Sequence, residues 1–161
     1  MEGNALLTDT LTDECDSWMH PLSTTRTVAP KTNWLAARRR TIFESAIKTC
    51  GTRGVKVVAY ELTTIYESPE PALDAIRAYV HEQEWTLVDT CTDREGMTAP
   101  AIRRGWLEAR RLVAGGFVTG IVTVSRSAIS TADKEYENEL AWLETHRAFL
   151  AHLPQLRTPS R

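Results

Sequence analysis

The sequence predicts an α/β domain in three layers, with a mainly parallel sheet of about four strands and helices on both faces. Three observations carry this. Short β-branched or apolar runs of strand length alternate with longer segments whose apolar residues recur at helical spacing. Each connection between successive strands is long enough to hold a helix, as a crossover between parallel strands requires. One run, Phe117 to Val124, is nearly all apolar, the pattern of a strand buried on both faces.

The elements follow in order. Residues 33–50 read as a helix, with Thr32 or Asn33 able to cap its start and Gly51 able to end it. Leu35, Phe43, Ala46, Ile47 and Cys50 share one broad face. Arg38, Arg39 and Arg40 form a basic cluster, read either as a solvated face or as a phosphate contact. Val55 to Leu62 is a β-branched run and the first strand. Pro69 and Pro71 punctuate the chain, and Pro71 suits the first turn of a helix. That helix spans 71–84 and carries Leu73, Ile76, Tyr79 and Val80 at helical spacing. Trp85 to Thr90 is the second strand, and Thr92 to Thr98 a polar loop. Helix 100–114 carries Ile102, Trp106, Leu112 and Val113 and ends at Gly115-Gly116. After the Phe117–Val124 strand, helix 131–145 places Tyr136, Leu140 and Leu143 on one face. Arg147 to Leu153 is the last strand. The expected organisation is a disordered N-terminal tail over 1–30, a helix and linker over 31–54, the α/β domain over 55–153, and a C-terminal tail over 154–161.

At 161 residues the chain fits one domain, and its 42% hydrophobic content is enough for a core. A net charge of −2 argues against coating nucleic acid by bulk charge, though a local basic patch remains compatible. Cys15, Cys50 and Cys91 stand far apart, without a CxxC pair or a histidine at ligand spacing. Reduced thiols follow, with neither zinc nor a disulfide framework. No apolar run approaches membrane-spanning length, and the acidic N-terminus is wrong for a secretory signal, so a cytoplasmic protein with no membrane partner is expected. No glycine-rich cradle lies between a strand and its following helix, and no GxSxG elbow occurs. The expectation is no cofactor and no metal. His20, His81, His146 and His152 are scattered, and a lone histidine is more often structural.

In a parallel α/β sheet functional groups collect at the carboxyl ends of the strands. Here those ends hold Thr63 and Thr64, Thr92 and Asp93, and Ser125, Arg126 and Ser127, with Ser130 beyond. A hydroxyl beside a guanidinium can attack or bind phosphate. The ordinary alternative is that these hydroxyls cap the following helices.

The stretches VVAYELTT, PALDAIRAYV, WTLVDTCTDREGMT, IRRGWLEARRLVAGGFVTGIVTVSR and YENELAWLETHRAFLAHL, in this order, resemble the catalytic domain of the serine recombinases (resolvases and invertases). The similar region runs from about Val55 to His152. The resemblance implies a resolvase-like fold and a covalent phosphoserine link to DNA. It also implies a tyrosine, an arginine and a nucleophilic serine after the first strand, an aspartate-glycine loop, an arginine opening the next helix, and an aspartate with two arginines after the third strand.

Carried over position by position, the chemistry is depleted. The nucleophile position falls on Thr63, or on Thr64 with a one-residue shift. The preceding arginine position is Glu61, a charge reversal where the scissile phosphate would lie. Arg103 matches the helix-opening arginine, and Arg126 is the single arginine of the last turn. Thr63, Arg103 and Arg126 are therefore the candidate catalytic remnants. The resemblance leads to a catalytically impaired domain that binds DNA, a second copy of itself or another recombinase. The alternatives are an active strand transferase with a threonine nucleophile, and an unrelated small regulatory α/β domain. Arg38 to Arg40, Arg103, Arg104, Arg110 and Arg111 could form a basic face for DNA or could be solvated.

Overall fold

The structure is a computed structural model that describes residues 31–94 and 98–155, with side chains from residue 34 onward. The expected tail over 1–30, the loop glycine Gly96 and the last part of the C-terminal tail lie outside the described residues. The chain divides into the units Met1–Trp34 and Leu35–Arg161, and the architecture is that of the second. Its elements are α1 (Lys31–Cys50), β1 (Lys56–Leu62), α2 (Glu70–Glu82), β2 (Thr86–Asp93), α3 (Arg104–Ala114), β3 (Gly120–Thr123), α4 (Asp133–Thr145) and β4 (Phe149–His152). Short 3₁₀ turns occupy Gly51–Arg53, Pro100–Ile102 and Arg126–Ala128. The sheet is parallel throughout, in the order β2-β1-β3-β4, the four-strand parallel arrangement that the alternating pattern predicts.

Alternation along the strands separates the two cores. Val58 and Tyr60 of β1, Ile121 of β3 and Leu150 of β4 pack with Trp106, Ala109 and Val113 of α3 and Tyr136, Leu140 and Leu143 of α4. Val57, Ala59, Val122, Phe149 and Ala151 pack with Leu73, Ile76 and Val80 of α2. α1 serves both: Leu35 and Ile42 join the first cluster, Ala46 with Phe43 and Ile47 the second. Each large aliphatic residue removed from water in this way contributes about 1.5–3 kcal/mol.

Several boundaries differ from expectation, each for a local reason. α1 is helical from Lys31, ahead of both Thr32 and Asn33. β2 continues to Asp93 because Tyr60, Glu61 and Leu62 of the longer β1 offer pairing partners to Cys91, Thr92 and Asp93. α3 begins at Arg104, because the 3₁₀ turn over Pro100–Ile102 and the extended backbone at Arg103 (φ −83°, ψ 124°) break the helical phase. Ile102 is consequently 67% exposed, and Ala109 takes a buried position instead. β3 is short, and Phe117 lies outside it, 64% exposed. Gly115-Gly116 does end α3: Gly116 takes φ +76°, and the Phe117 N–H donates to the Leu112 carbonyl. α2 and α4 end the same way on non-glycine residues, Glu84 (φ 60°) and Arg147 (φ 54°). Their following amides, Trp85 and Ala148, donate to Val80 and Leu143.

Candidate functional site

The carboxyl end of the sheet is organised around Asp93, the last residue of β2. Its carboxylate accepts hydrogen bonds from the Tyr60 hydroxyl (2.9 Å), the Gly105 N–H (2.8 Å) and the Trp106 N–H (2.9 Å). Asp93 therefore caps α3 from across the chain, satisfying amides that have no partner inside the helix. The approach is close enough that a Cβ at Gly105 would lie 2.5 Å from the Thr92 carbonyl oxygen. Burial pushes the Tyr60 phenol well up, against the pull of Arg103, and Asp93 adds to the rise.

Arg103 stands at the N-cap position of α3 and is only 4% exposed. Its Nε donates to the Thr98 carbonyl (2.8 Å), and its Nη1 to the carbonyls of Ala128 (2.9 Å) and Ile129 (2.8 Å). The guanidinium thus clamps the β2–α3 connection to the turn after β3. A second buried polar pair supports α3 from α4: the Trp106 indole N–H donates to Glu139 (2.8 Å), whose other oxygen lies 3.6 Å from Arg110.

Arg126 lies in the turn that Arg103 grips. It pairs with Asp133 (2.5 Å), donates to the carbonyls of Ser130 and Thr131 (3.3 and 3.4 Å), and sits 4.6 Å over the Tyr136 ring. Ser125 and Ser127 share a hydrogen bond of 2.7 Å and, with Arg126, Thr131 and Gln155, line an open hollow of about 350 Å³. Next to this turn, His152 is held between two hydroxyls, Thr123 Oγ1 on Nδ1 (2.7 Å) and Tyr136 Oη on Nε2 (2.9 Å). Burial, with Arg39 and Arg126 adding positive charge, lowers the imidazole to about 3, so it is neutral at ordinary pH. Burial likewise raises Tyr136 to about 12, opposed by the same two arginines.

Thr63 follows β1 directly, and its N–H extends the ladder to the Asp93 carbonyl (2.9 Å). The residue is 8% exposed, and its Oγ1 is buried without a hydrogen-bond partner. Thr64 is exposed. Glu61, two positions back on the same side of the strand, is half-buried with Oε2 likewise unpartnered, and burial alone raises its carboxyl to about 7. Burial first, then nearby Asp89, Glu108 and Asp93, push the Cys91 thiol up to about 11, which leaves it a poor nucleophile.

All three sequence-derived residues therefore stand at the same end of the sheet. Arg103 is tied to the turn that carries Arg126, while neither guanidinium donates to Thr63 Oγ1. Of the other arginines read as a basic face, Arg38 is paired with Glu137 and Glu144, Arg110 with Glu139, and Arg111 with Glu108. Among the described residues no group of three or more His, Cys, Asp and Glu is placed to hold a metal, and no helix is long and apolar enough to cross a membrane. Two features escaped the sequence reading: the capping role of Asp93 and the Thr123–His152–Tyr136 chain. A polar Thr123 inside an apolar run was a signal, but nothing in the spacing joins it to a histidine 29 positions on.

No protein-family model matches the sequence, and no curated protein matches it. The fold does match solved structures. One is the C-terminal catalytic domain of ISC1926 TnpA, an IS607-like serine recombinase: 17% identity, TM-score 0.52, 63% of this chain and 72% of that one. Another is the N-terminal catalytic domain of TP901-1 integrase: 16% identity, TM-score 0.55, 61% of this chain and 76% of that one. The chain therefore has the α/β fold of the serine-recombinase catalytic domains.

Proposed function

We propose that this chain is a recombinase-type domain that binds without cutting, acting beside DNA or a partner recombinase domain, with strand transfer lost. One observation carries the reading. The Arg103 guanidinium is buried, with the residue only 4% exposed, and its Nε and Nη1 donate to three backbone carbonyls of its own fold, so it is turned inward rather than presented to a phosphate.

Three further features support it. Arg126 is engaged by Asp133 and two carbonyls. The Thr63 hydroxyl has no general base bonded to it and no exposed surface from which to attack. Glu61 sets a carboxyl at the end of the same strand, and its ionised form would repel a phosphodiester. Phosphoryl transfer depends on cations placed where charge develops, and loss of one such donor costs roughly 10²–10³ in rate.

The test is incubation of the full chain with supercoiled plasmid at high protein concentration. The expected outcome is no nicked or relaxed product and no covalent protein–DNA adduct. An adduct that forms with the parent chain and disappears in Thr63→Ala would reverse the reading in favour of an active transferase with a threonine nucleophile. Binding to labelled duplex, followed as salt rises, separates the partners: a phosphate contact weakens steeply with salt, whereas pairing with a recombinase domain appears as a larger species without DNA.

A further inference from the structure

The amino-terminal edge of the sheet, away from Thr63 and Arg126, carries a second concave surface. Two adjoining hollows of about 250 Å³ each share Ala46, Thr49 and Arg147. One runs between α1 and the α4–β4 turn, past Ser45 and Glu144. The other continues to the chain entering β1 and β3, past Arg53, Gly54 and Thr119. On the α1 side Thr41, Ser45 and Thr49 recur every four residues, so small side chains leave this stripe of the helix shallow.

The charge in this groove is unbalanced. Arg53 and Arg147 both line it, and among the described residues neither side chain makes an ion pair or a hydrogen bond. Glu144 is the one carboxylate on the wall, and Arg38 already holds it at 3.2 Å. Both guanidiniums are exposed and line the same concave surface, so both can reach an anion that enters it. The guanidinium fork matches the oxygens of a phosphate. Arg147 is also kept at φ 54°, a backbone conformation that suits glycine better.

We infer that this groove binds a phosphate group between Arg53 and Arg147, presented by a free nucleotide or by a nucleic-acid strand. The inference stands independently of whether strand transfer is lost. Cys50 lines the same hollow and is half-buried, whereas Cys91 is buried. Alkylation of Cys50 therefore reports on the groove itself.

The experiment uses the full chain carrying Cys15→Ser and follows iodoacetamide labelling of Cys50. The probes are sodium phosphate, a nucleoside monophosphate and a short oligothymidylate, each against sodium chloride at matched ionic strength. At least one phosphate probe should slow labelling several-fold where chloride does not. Protection should need about tenfold more probe in Arg53→Gln and in Arg147→Gly, the loss of one charge-assisted contact. Arg147→Gly suits the local backbone, so it keeps the test clear of folding defects. Protection by the nucleotide identifies a small ligand, and protection by the oligonucleotide alone identifies a strand; both support the site. No protection by any probe, protection that persists in the Arg53→Gln/Arg147→Gly double variant, or equal loss in the distant Arg77→Gln would each overturn it.

Discussion

Arg103 is the residue at which the catalytic and structural roles part. As a sequence position it is an arginine opening a helix near a strand end, which suits phosphate binding. In the fold it is a buried clamp on Thr98, Ala128 and Ile129. Removing it would strand buried carbonyls, and hydrogen bonds to a charged group are worth about 1.5–3 kcal/mol each. Arg103→Ala is therefore expected to cost about 3–5 kcal/mol in urea unfolding, with Arg103→Lys recovering only part because an ammonium lacks the planar fork. A loss below about 1 kcal/mol would mean that these bonds contribute little beyond what water supplies, and the structural role would fall. The types of residue at this site were legible in the sequence, since hydroxyls and arginines stood at the predicted strand ends. Their partners were not. Arg103 meets carbonyls 25 and 26 positions away, and Asp93 caps a helix that starts beyond a loop, so both contacts depend on how the chain closes in space.

Elements were legible wherever side-chain periodicity decided them. Val57 to Tyr60 alternates between two cores, and Leu73, Ile76 and Val80 or Tyr136, Leu140 and Leu143 fill one face of a helix. What periodicity cannot show is where a backbone turns without the customary residue. Gly116 announced the end of α3, but Glu84 and Arg147 hold the same left-handed conformation with a Cβ. Glu84→Gly should therefore stabilise the chain by about 0.5–1 kcal/mol, the relief of the left-handed penalty less the added freedom of the unfolded chain. A destabilised Glu84→Gly would show that the Glu84 side chain contributes more than its backbone costs. The opposite holds at Gly105. A Cβ there would lie 2.5 Å from a backbone oxygen and 2.8 Å from the Asp93 carboxylate, neither of which can retreat without breaking the α3 cap. Gly105→Ala should cost about 2 kcal/mol or more. Thermal unfolding with a Tm equal to the parent's would show that the β2–α3 junction can shift without loss.

Across the whole molecule, two half-buried groups at the carboxyl end of the sheet tie stability to pH in opposite senses. Glu61 is raised by burial from about 4.5 to about 7, so between these values the folded chain holds a proton that the unfolded chain has released. Stability from Glu61 is full at low pH and declines as pH rises through this window. His152 is lowered from 6.5 to about 3, first by burial and then by Arg39 and Arg126, so between these values the unfolded chain binds the extra proton. Stability there rises with pH and is lost on acidification. The two slopes oppose each other between roughly pH 4.5 and 6.5, which should leave the parent chain nearly flat in that range. Removing either group exposes the other. Urea midpoints of Glu61→Gln should climb as pH rises from 4.5 to 6.5, because His152 then acts alone, and at pH 8 the variant should exceed the parent. His152→Gln should show the reverse, falling across the same range. Parallel pH profiles for the parent and Glu61→Gln would mean that the β1 carboxyl titrates alike in the folded and unfolded chains. Burial of Glu61 would then exert no force on the end of the strand where Thr63 sits.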